Sequence, residues 1–153
     1  MKFSHQIKID NCILSNDAPA YIIAEAGVNH NGDMNLARQL IDVAASAGVN
    51  AVKFQSFKSE QLVLKTTDKA PYQKKNTPQN ESQYDMLKAL ELNMENMRIL
   101  QTYAGSMGLT FLSTPFEKES LNELCELNIP AIKIAATDIT NIQYLREVAQ
   151  TKK

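Results

Sequence analysis

The sequence predicts an α/β fold of the (β/α)8 TIM-barrel type, of which about the first four βα units are present in 153 residues. Apolar runs of strand length alternate with segments of helical period, which is typical of a parallel sheet covered by helices. Polar residues also recur inside or just after each predicted strand, as they do at the carboxyl end of a barrel. A doubly wound sheet is disfavoured because no Gly-x-Gly-x-x-Gly motif follows the first strand.

The elements follow one another in a regular order. Strands are predicted at residues 21–26, 51–57, 109–114 and 131–135. Helices are predicted from the capping residue Asp33 to Gly48, from about Met94 to Gly108, over 117–127 and over 142–150. A period of 3.6 residues predicts the buried faces of the first three helices: Leu36, Leu40, Ala44 and Ala47; then Met97, Leu100, Ala104 and Met107; then Leu121, Leu124 and Cys125.

Size and composition restrict the setting. A complete barrel takes about 250 residues, so residues 1–153 are predicted to be the N-terminal half of a barrel domain, either a piece of a longer product or the product of an interrupted gene. The net charge of -1 and the 44% hydrophobic content indicate a globular protein with neither a nucleic-acid nor a membrane partner. We expect a cytoplasmic protein in which Cys12 and Cys125 stay reduced.

The connection at residues 58–93 is far longer than an ordinary βα loop of about 2 to 6 residues. It is either a lid or a surface loop, and residues 81–90 within it are predicted to form a short amphipathic helix over the barrel mouth. Its lysines, Lys69, Lys74 and Lys75, would either meet an anionic substrate or be solvated.

Polar side chains should converge where the strands end, because the carboxyl ends of parallel strands in a barrel face one mouth. They are Glu25 from the first strand, Lys53 and Gln55 from the second, Ser113 and Thr114 from the third, and Lys133 and Thr137 from the fourth. Two lysines inside strands need anionic partners, because an isolated buried charge is very costly. A phosphate or carboxylate ligand would supply them, with hydroxyl donors from Ser113 and Thr114. An internal salt bridge to Glu25 and a Schiff-base lysine remain alternatives.

Four blocks, YIIAEAGVNHNGD, AGVNAVKFQSFK, LTFLSTPFE and IPAIKIAATDITN, resemble in order the strand motifs of the sialic acid synthase family. This family condenses phosphoenolpyruvate with an N-acetylated amino sugar to make N-acetylneuraminate and related nonulosonates. The resemblance implies a barrel followed by an antifreeze-like domain that is absent from residues 1–153. It also implies a homodimer and a divalent metal, Mn²⁺ or Mg²⁺, whose ligands are expected outside this chain.

The resemblance also implies roles for individual residues. Lys53, Thr114 and Lys133 match phosphoenolpyruvate contacts, Glu25 matches the active-site acid beside the sugar, and Phe116 matches part of the pocket. The family often has Ser-Gly-Glu after the fourth strand, whereas this sequence has Ala136-Thr137-Asp138. Thr137 or backbone amides would then replace the serine hydroxyl, and Asp138 would keep a catalytic acid one carbon shorter. His30 is expected to order the first loop, to touch the sugar, or to be an exposed turn residue.

The implied reaction is a metal-assisted condensation in which Glu25 orients or deprotonates water, or stabilises a cationic carbon. The default expectation for the acceptor is N-acetylmannosamine, and a diacetamido-trideoxyhexose is the other candidate. Alternatives are a Schiff-base aldolase using Lys133, a condensation of the 3-deoxy-heptulosonate type, and a noncatalytic half-barrel that associates with a partner or a second copy. On its own, the half-barrel is expected to lack synthase activity.

Overall fold

The computed structural model describes residues 5–71, 73 and 81–153. Its strands are β1 (Gln6–Ile9), β2 (Cys12–Ser15), β3 (Ile23–Gly27), β4 (Ala51–Ser56) and β5 (Thr110–Pro115). Its helices include α1 (Met34–Ser46), α2 (Ser59–Leu62), α3 (Gln83–Leu90), α4 (Met94–Ser106), α5 (Lys118–Glu126) and α6 (Ile142–Gln150), and a 3₁₀ turn (Ala136–Asp138) precedes α6. The predicted order of three strand–helix units is confirmed, with boundaries that shift by one or two residues.

Strands β3, β4 and β5 form one parallel sheet in that order, with β4 in the middle. Lys53 of β4 lies opposite Glu25 of β3 and opposite Leu112 of β5. Because side chains alternate between the two faces of a strand, Val52 and Phe54 point away from the face that carries Lys53. All three strands run in the same direction, so their carboxyl ends lie at one edge of the sheet. This arrangement is the partial barrel that the sequence predicts.

The core lies between the outer face of the sheet and helices α1 and α4. Phe54 and Phe111 stack on each other with ring centroids 5.5 Å apart, and Ile41 and Leu100 bury their side chains in the same cluster. The predicted burial of Met97, Leu100 and Ala104 in α4 is confirmed, whereas Met107 is exposed. In α1 the predicted burial of Ala44 is confirmed, but the buried face is centred on Ala37 and Ile41, which were not predicted. Leu36 and Leu40 are half-buried and Ala47 is exposed.

The predicted fourth strand, residues 131–135, is not a strand in this structure. Ile132 makes an isolated parallel bridge to Ser113, and the Lys133 amide donates a 3.4 Å hydrogen bond to the Ser113 carbonyl. Among the described residues no strand flanks the segment on its other side. The segment therefore meets β5 at a single bridge and does not form a continuous ladder of hydrogen bonds with it.

A hairpin that the sequence analysis missed lies at the opposite end of the sheet. Strands β1 and β2 pair antiparallel around a turn in which Asp10 has a φ of 49°. The Thr110 hydroxyl, at the start of β5, donates a 2.7 Å hydrogen bond to the Asp10 carboxylate. The hairpin is therefore fastened to the amino end of the sheet.

The long connection after β4, which includes α2 and α3, is attached to helix α5 and is also held by contacts between its own two helices. Lys58 forms a 2.6 Å ion pair with Glu123 of α5, and on the other side Lys88 of α3 forms a 2.9 Å ion pair with Glu60 of α2. Glu91, just after α3, accepts a hydrogen bond from the Ser59 amide. The predicted helix at 81–90 is confirmed as α3, and none of its residues is fully buried.

Candidate active site

The inner face of the sheet, opposite the helix-covered core, brings together four of the predicted site residues: Glu25, Lys53, Gln55 and Thr114. Lys53 pairs with Glu25, and Gln55 pairs with Thr114 across the neighbouring strand. Their positions follow from the period-two alternation of strands, because Lys53 and Gln55 are two residues apart. The predicted convergence at the carboxyl end of the sheet is confirmed for this group.

Lys53 is the most buried charge in the group. Its ammonium forms an ion pair with Glu25 and lies 3.4 Å from the Thr114 hydroxyl. The Lys53 side chain is 11% exposed, whereas that of Glu25 is 50% exposed. The salt bridge that the sequence analysis kept as an alternative is therefore present, and Glu25 also has a face open to solvent. A half-exposed carboxylate beside a buried ammonium can meet a ligand while it neutralises the lysine.

Gly27 allows Glu25 and Gln55 to approach each other. Its φ is 55°, in the left-handed region that glycine adopts at little cost. A Cβ at this position would lie 3.2 Å from Glu25 Oε1 and 3.4 Å from Gln55 Nε2. The glycine therefore keeps the carboxylate and the amide on either side of a narrow space.

Ser113 does not join this group, and the prediction that it lies beside Thr114 on the same site is wrong. Its hydroxyl lies 2.8 Å from that of Ser56, and both residues are buried. Ser113 pairs with Phe54, so it faces the helices. Adjacent residues of a strand point to opposite faces, which excludes one of the two hydroxyls from the inner face.

Lys133 and Thr137 are exposed, so the expectation of a second buried lysine is also wrong. The Lys133 ammonium donates a 2.7 Å hydrogen bond to the carbonyl of Ile134. The backbone of residues 131–135 is irregular and meets β5 only at the Ser113–Ile132 bridge, so it does not carry Lys133 into the sheet as β4 carries Lys53. A role for either residue in binding substrate stays a prediction.

Phe116 and Asp138 lie near the end of β5 and the start of α6. Phe116 packs edge-on against Phe57, with ring centroids 6.3 Å apart. The Tyr144 hydroxyl donates a buried 2.8 Å hydrogen bond to the Pro115 carbonyl, and burial, with a contribution from Asp138, raises the pKa of Tyr144. One oxygen of Asp138 is buried without a hydrogen-bond partner in the structure. Tyr144 was missed in the sequence, where it reads only as one apolar position of an amphipathic helix.

His30 is fully buried, so the interpretation as an exposed turn residue is wrong. Its Nδ1 accepts a 3.0 Å hydrogen bond from the Gly32 amide, which confirms that it orders the first loop. The ring lies 6.1 Å from that of Phe54, on the helix side of the sheet. Burial lowers the pKa of His30, so the ring is held neutral with its proton on Nε2.

The lysines of the long connection are only partly described. Lys69 is buried and forms a 3.0 Å ion pair with Glu81, so a solvated Lys69 is excluded. Lys74 and Lys75 lie outside the described residues. Within residues 5–71, 73 and 81–153, no three His, Cys, Asp or Glu side chains lie close enough to hold a metal ion. The residues described here therefore do not fit the divalent metal that the resemblance implies.

Comparison with known proteins decides the family. Residues 40–153 match the NeuB family. The chain belongs to the NeuB family. One NeuB relative, the N,N'-diacetyllegionaminic acid synthase of Legionella pneumophila, is 49% identical over 132 residues, which are 86% of this chain and 37% of that protein. The human N-acetylneuraminate-9-phosphate synthase is 31% identical over 86% of this chain and 36% of its own length.

A solved structure supports the fold of this NeuB chain. The N-acetylneuraminic acid synthetase of Leptospira borgpetersenii, crystallised with citrate, superposes with a TM-score of 0.79 at 33% identity. The match covers 97% of this chain and 47% of the synthetase. This NeuB chain thus spans less than half the length of these three relatives. Among its described helices, none has the length and apolar character needed to cross a bilayer.

Proposed function

We propose that this chain supplies the phosphoenolpyruvate-binding part of a nonulosonate synthase. The observation that carries the proposal is the Glu25–Lys53–Thr114 group, in which a buried ammonium lies between a half-exposed carboxylate and a hydroxyl at one face of the sheet. An ammonium held in this way provides a charge-assisted donor for a small anion. The relatives named as legionaminic acid and N-acetylneuraminate-9-phosphate synthases support the reaction class.

One lysine is not enough for the substrate, since Glu25 already neutralises Lys53. Phosphoenolpyruvate carries a carboxylate and a phosphate, so a second cation is needed. Lys133 is the candidate because its segment adjoins β5 through the Ser113–Ile132 bridge. We propose that Lys133 leaves its bond to the Ile134 carbonyl and turns towards the phosphate when phosphoenolpyruvate binds.

In the proposed reaction, C3 of phosphoenolpyruvate attacks the aldehyde carbon of the open-chain sugar, and the aldehyde oxygen takes up a proton. Water adds to C2 and loses one proton, which leaves a hydroxyl group and the phosphate ester on the same carbon. The C2–O bond to phosphate then breaks, the hydroxyl proton passes to the departing phosphate, and a keto group remains. Lys53 and Thr114 hold the anion through these steps. Glu25 accepts a proton from the water or stabilises the positive charge at C2. Its carboxylate is half-exposed, so it can contact either the water or C2.

The acceptor is proposed to be a diacetamido-trideoxyhexose. The identity to the legionaminic acid synthase is 49%, against 31% to the human enzyme, whose name indicates a phosphorylated product. N-Acetylmannosamine is the second candidate. Asp138 is proposed to contact the acceptor or water, because one of its oxygens is buried without a partner. A cytoplasmic homodimer, with any divalent metal bound by residues other than those described here, completes the proposal.

A Schiff-base aldolase is less well supported by the two lysines. Lys53 is ion-paired, and Lys133 is exposed and bonded to a carbonyl, whereas a Schiff-base lysine is usually desolvated in an apolar pocket. Borohydride treatment in the presence of a carbonyl substrate distinguishes the two mechanisms. The aldolase predicts a stable adduct on a lysine, and the synthase predicts none.

The test uses the full gene product with phosphoenolpyruvate, a divalent metal salt and each acceptor in turn. We expect phosphate release that depends on the diacetamido sugar, and a nine-carbon 2-keto acid as the product. Thr114→Val should raise the KM for phosphoenolpyruvate, whereas Ser56→Ala, which removes a buried hydroxyl on the opposite face, should not. Phosphate release only with a phosphorylated sugar that carries no N-acetyl group would favour the heptulosonate type. No sugar-dependent release with any acceptor would refute the proposal.

A further inference from the structure

The turn at residues 28–33, which we name the docking turn, makes an unusually close contact with helix α3. A Cβ added to Gly32 would lie well inside van der Waals distance of the Ala89 carbonyl oxygen. Backbone oxygen cannot move aside as the end of a flexible side chain can. Position 32 therefore has room for glycine alone while α3 keeps its place.

His30 gives the docking turn its shape. Its Nδ1 accepts the Gly32 amide at 3.0 Å, and its backbone carbonyl accepts the Asp33 amide at 2.8 Å. Asp33 then caps α1 through the Asn35 amide at 2.7 Å. Because the ring of His30 is fully buried, water cannot readily replace the Gly32 amide as its hydrogen-bond partner.

Apart from the contact with Gly32, the attachments of helix α3 among the described residues are to its own long connection. The Gln83 amide donates a 3.3 Å hydrogen bond to the Thr67 carbonyl, and the Lys65 ammonium lies 5.6 Å from the centre of the Tyr84 ring. None of its residues is fully buried, so the core does not fix it. On its far side it is joined to α2 by the Tyr84–Glu60 hydrogen bond and the Lys88–Glu60 ion pair, both 2.9 Å and exposed. Exposed ion pairs contribute little to stability. The contact with Gly32 therefore links α3 to the loop after β3, outside the long connection to which α3 belongs.

The position of α3 relates it to the candidate active site. The docking turn follows β3, whose Glu25 lies two residues before the strand ends at Gly27, and α2 follows β4. Helix α3 thus connects the loops that leave the carboxyl ends of two neighbouring strands. These are the ends at which Glu25, Gln55 and Thr114 lie.

We propose that Gly32 and His30 are positioning residues that dock α3 beside the inner-face group and thereby form one wall of the acceptor site. The close approach of Gly32 to the Ala89 carbonyl is seen directly in the structure. The effect on the acceptor rests on the proposed function. Loss of the docking contact should raise the KM for the sugar. The KM for phosphoenolpyruvate, which Lys53 and Thr114 are proposed to hold, should change little.

The first experiment compares Gly32→Ala with Gly108→Ala in the full gene product. Both glycines have a φ of 77°, but a Cβ at Gly108 would meet nothing within 4 Å, so the control carries the same backbone strain without the contact. Hydrogen exchange of peptides from residues 83–90 should be at least about tenfold faster in Gly32→Ala than in Gly108→Ala, because opening of α3 becomes more frequent. Equal exchange in the two variants would overturn the docking.

His30→Phe provides the second variant if Gly32→Ala does not fold. It keeps a buried ring and removes the Nδ1 acceptor, so exchange over residues 83–90 should rise without loss of the α1 and α4 protection. Unchanged exchange there would also count against the proposal. In both variants the KM for the sugar should rise several-fold more than that for phosphoenolpyruvate. Faster exchange over residues 83–90 with an unaltered KM for the sugar would refute the proposal that α3 forms a wall of the acceptor site. An inactive wild-type enzyme would refute the proposed function. In that case the exchange measurement would still test whether Gly32 and His30 dock α3.

Discussion

Glu25 and Lys53 lie opposite each other on neighbouring parallel strands and form an ion pair in which the lysine is buried and the carboxylate is half-exposed. The pair is set by strand register rather than by flexible side chains that happen to meet. A slip of one residue would move Lys53 to the helix-covered face. Two roles therefore coincide in Glu25, since it neutralises a buried charge and faces the site.

The substitution Glu25→Gln separates these two roles. It keeps the shape and removes the charge, so a catalytic carboxylate predicts a fall in turnover of about 10²- to 10⁴-fold with phosphoenolpyruvate still bound. A purely structural role predicts a lower melting temperature and near-normal turnover of the folded fraction. Steady-state kinetics and thermal unfolding on one preparation of the full gene product measure both. Near-normal turnover with a large stability loss would refute catalysis.

Lys53→Ala and Lys133→Ala are expected to differ in their effect on the fold. Both should weaken phosphoenolpyruvate binding, by about 1.5 to 3 kcal/mol each, because each removes a charge-assisted contact. Only Lys53→Ala should also lower stability, since Lys133 is exposed. Calorimetric titration with phosphoenolpyruvate and urea unfolding check the two effects. Unchanged phosphoenolpyruvate affinity in both variants would contradict the anion site.

Tyr144→Phe should loosen the end of β5. The substitution leaves the Pro115 carbonyl without its buried 2.8 Å partner, at a cost of about 1 to 3 kcal/mol. Tyr103→Phe is the matched control, because it removes a 2.6 Å hydrogen bond to Asp42 between α1 and α4. Hydrogen exchange over residues 113–117 should rise in the first variant only. The same protection in both would show that Tyr144 does not hold this end of the strand.

The pH dependence of stability should reflect the protonation of His30. Burial lowers its pKa below the ordinary value of 6.5, so above about pH 6.5 the ring is neutral in both the folded and the unfolded protein. Below that pH the unfolded chain binds a proton that the folded protein does not, and the free energy of unfolding falls until the folded pKa is reached. His30→Gln should remove this part of the pH dependence between pH 7.5 and 5.

An exposed histidine supplies the control for that measurement. His5 lies at the start of the described chain and is solvent-exposed. His5→Gln should leave the wild-type pH dependence in place. If His30→Gln and the wild type lost stability in parallel as the pH falls, the buried neutral ring would not be the cause.

The sequence predicted well what depends on local periodicity. Strand β4 and the inner-face positions of Lys53 and Gln55 follow from alternation, and Met97 and Leu100 follow from helical period. The same alternation could have assigned Ser113 and Thr114 to opposite faces, had it been applied to each residue and not to the strand as a whole.

Other features depend on contacts distant in the chain. The burial of Lys133 was predicted from the apolar residues around it, but its segment makes only one bridge to β5 and leaves the side chain exposed. Tyr144 and Pro115 are 29 positions apart, and Gly32 and Ala89 lie further apart still. No pattern within a window of ten or fifteen residues contains such a pair. The hairpin of β1 and β2 is different, because the Asp-Asn turn between two short runs is a local signal.

The hairpin has a consequence for engineering the protein. Its attachment through Asp10 and Thr110 lies at the amino end of the sheet, whereas Glu25 and Thr114 lie towards the other end. Variants with higher heat tolerance can therefore be selected from a mutant library at the amino end of the sheet. Variants with altered substrate preference can be selected from a second library at the carboxyl end. Improved variants from the two libraries should combine with nearly additive effects, since distant sites that share no partners rarely couple.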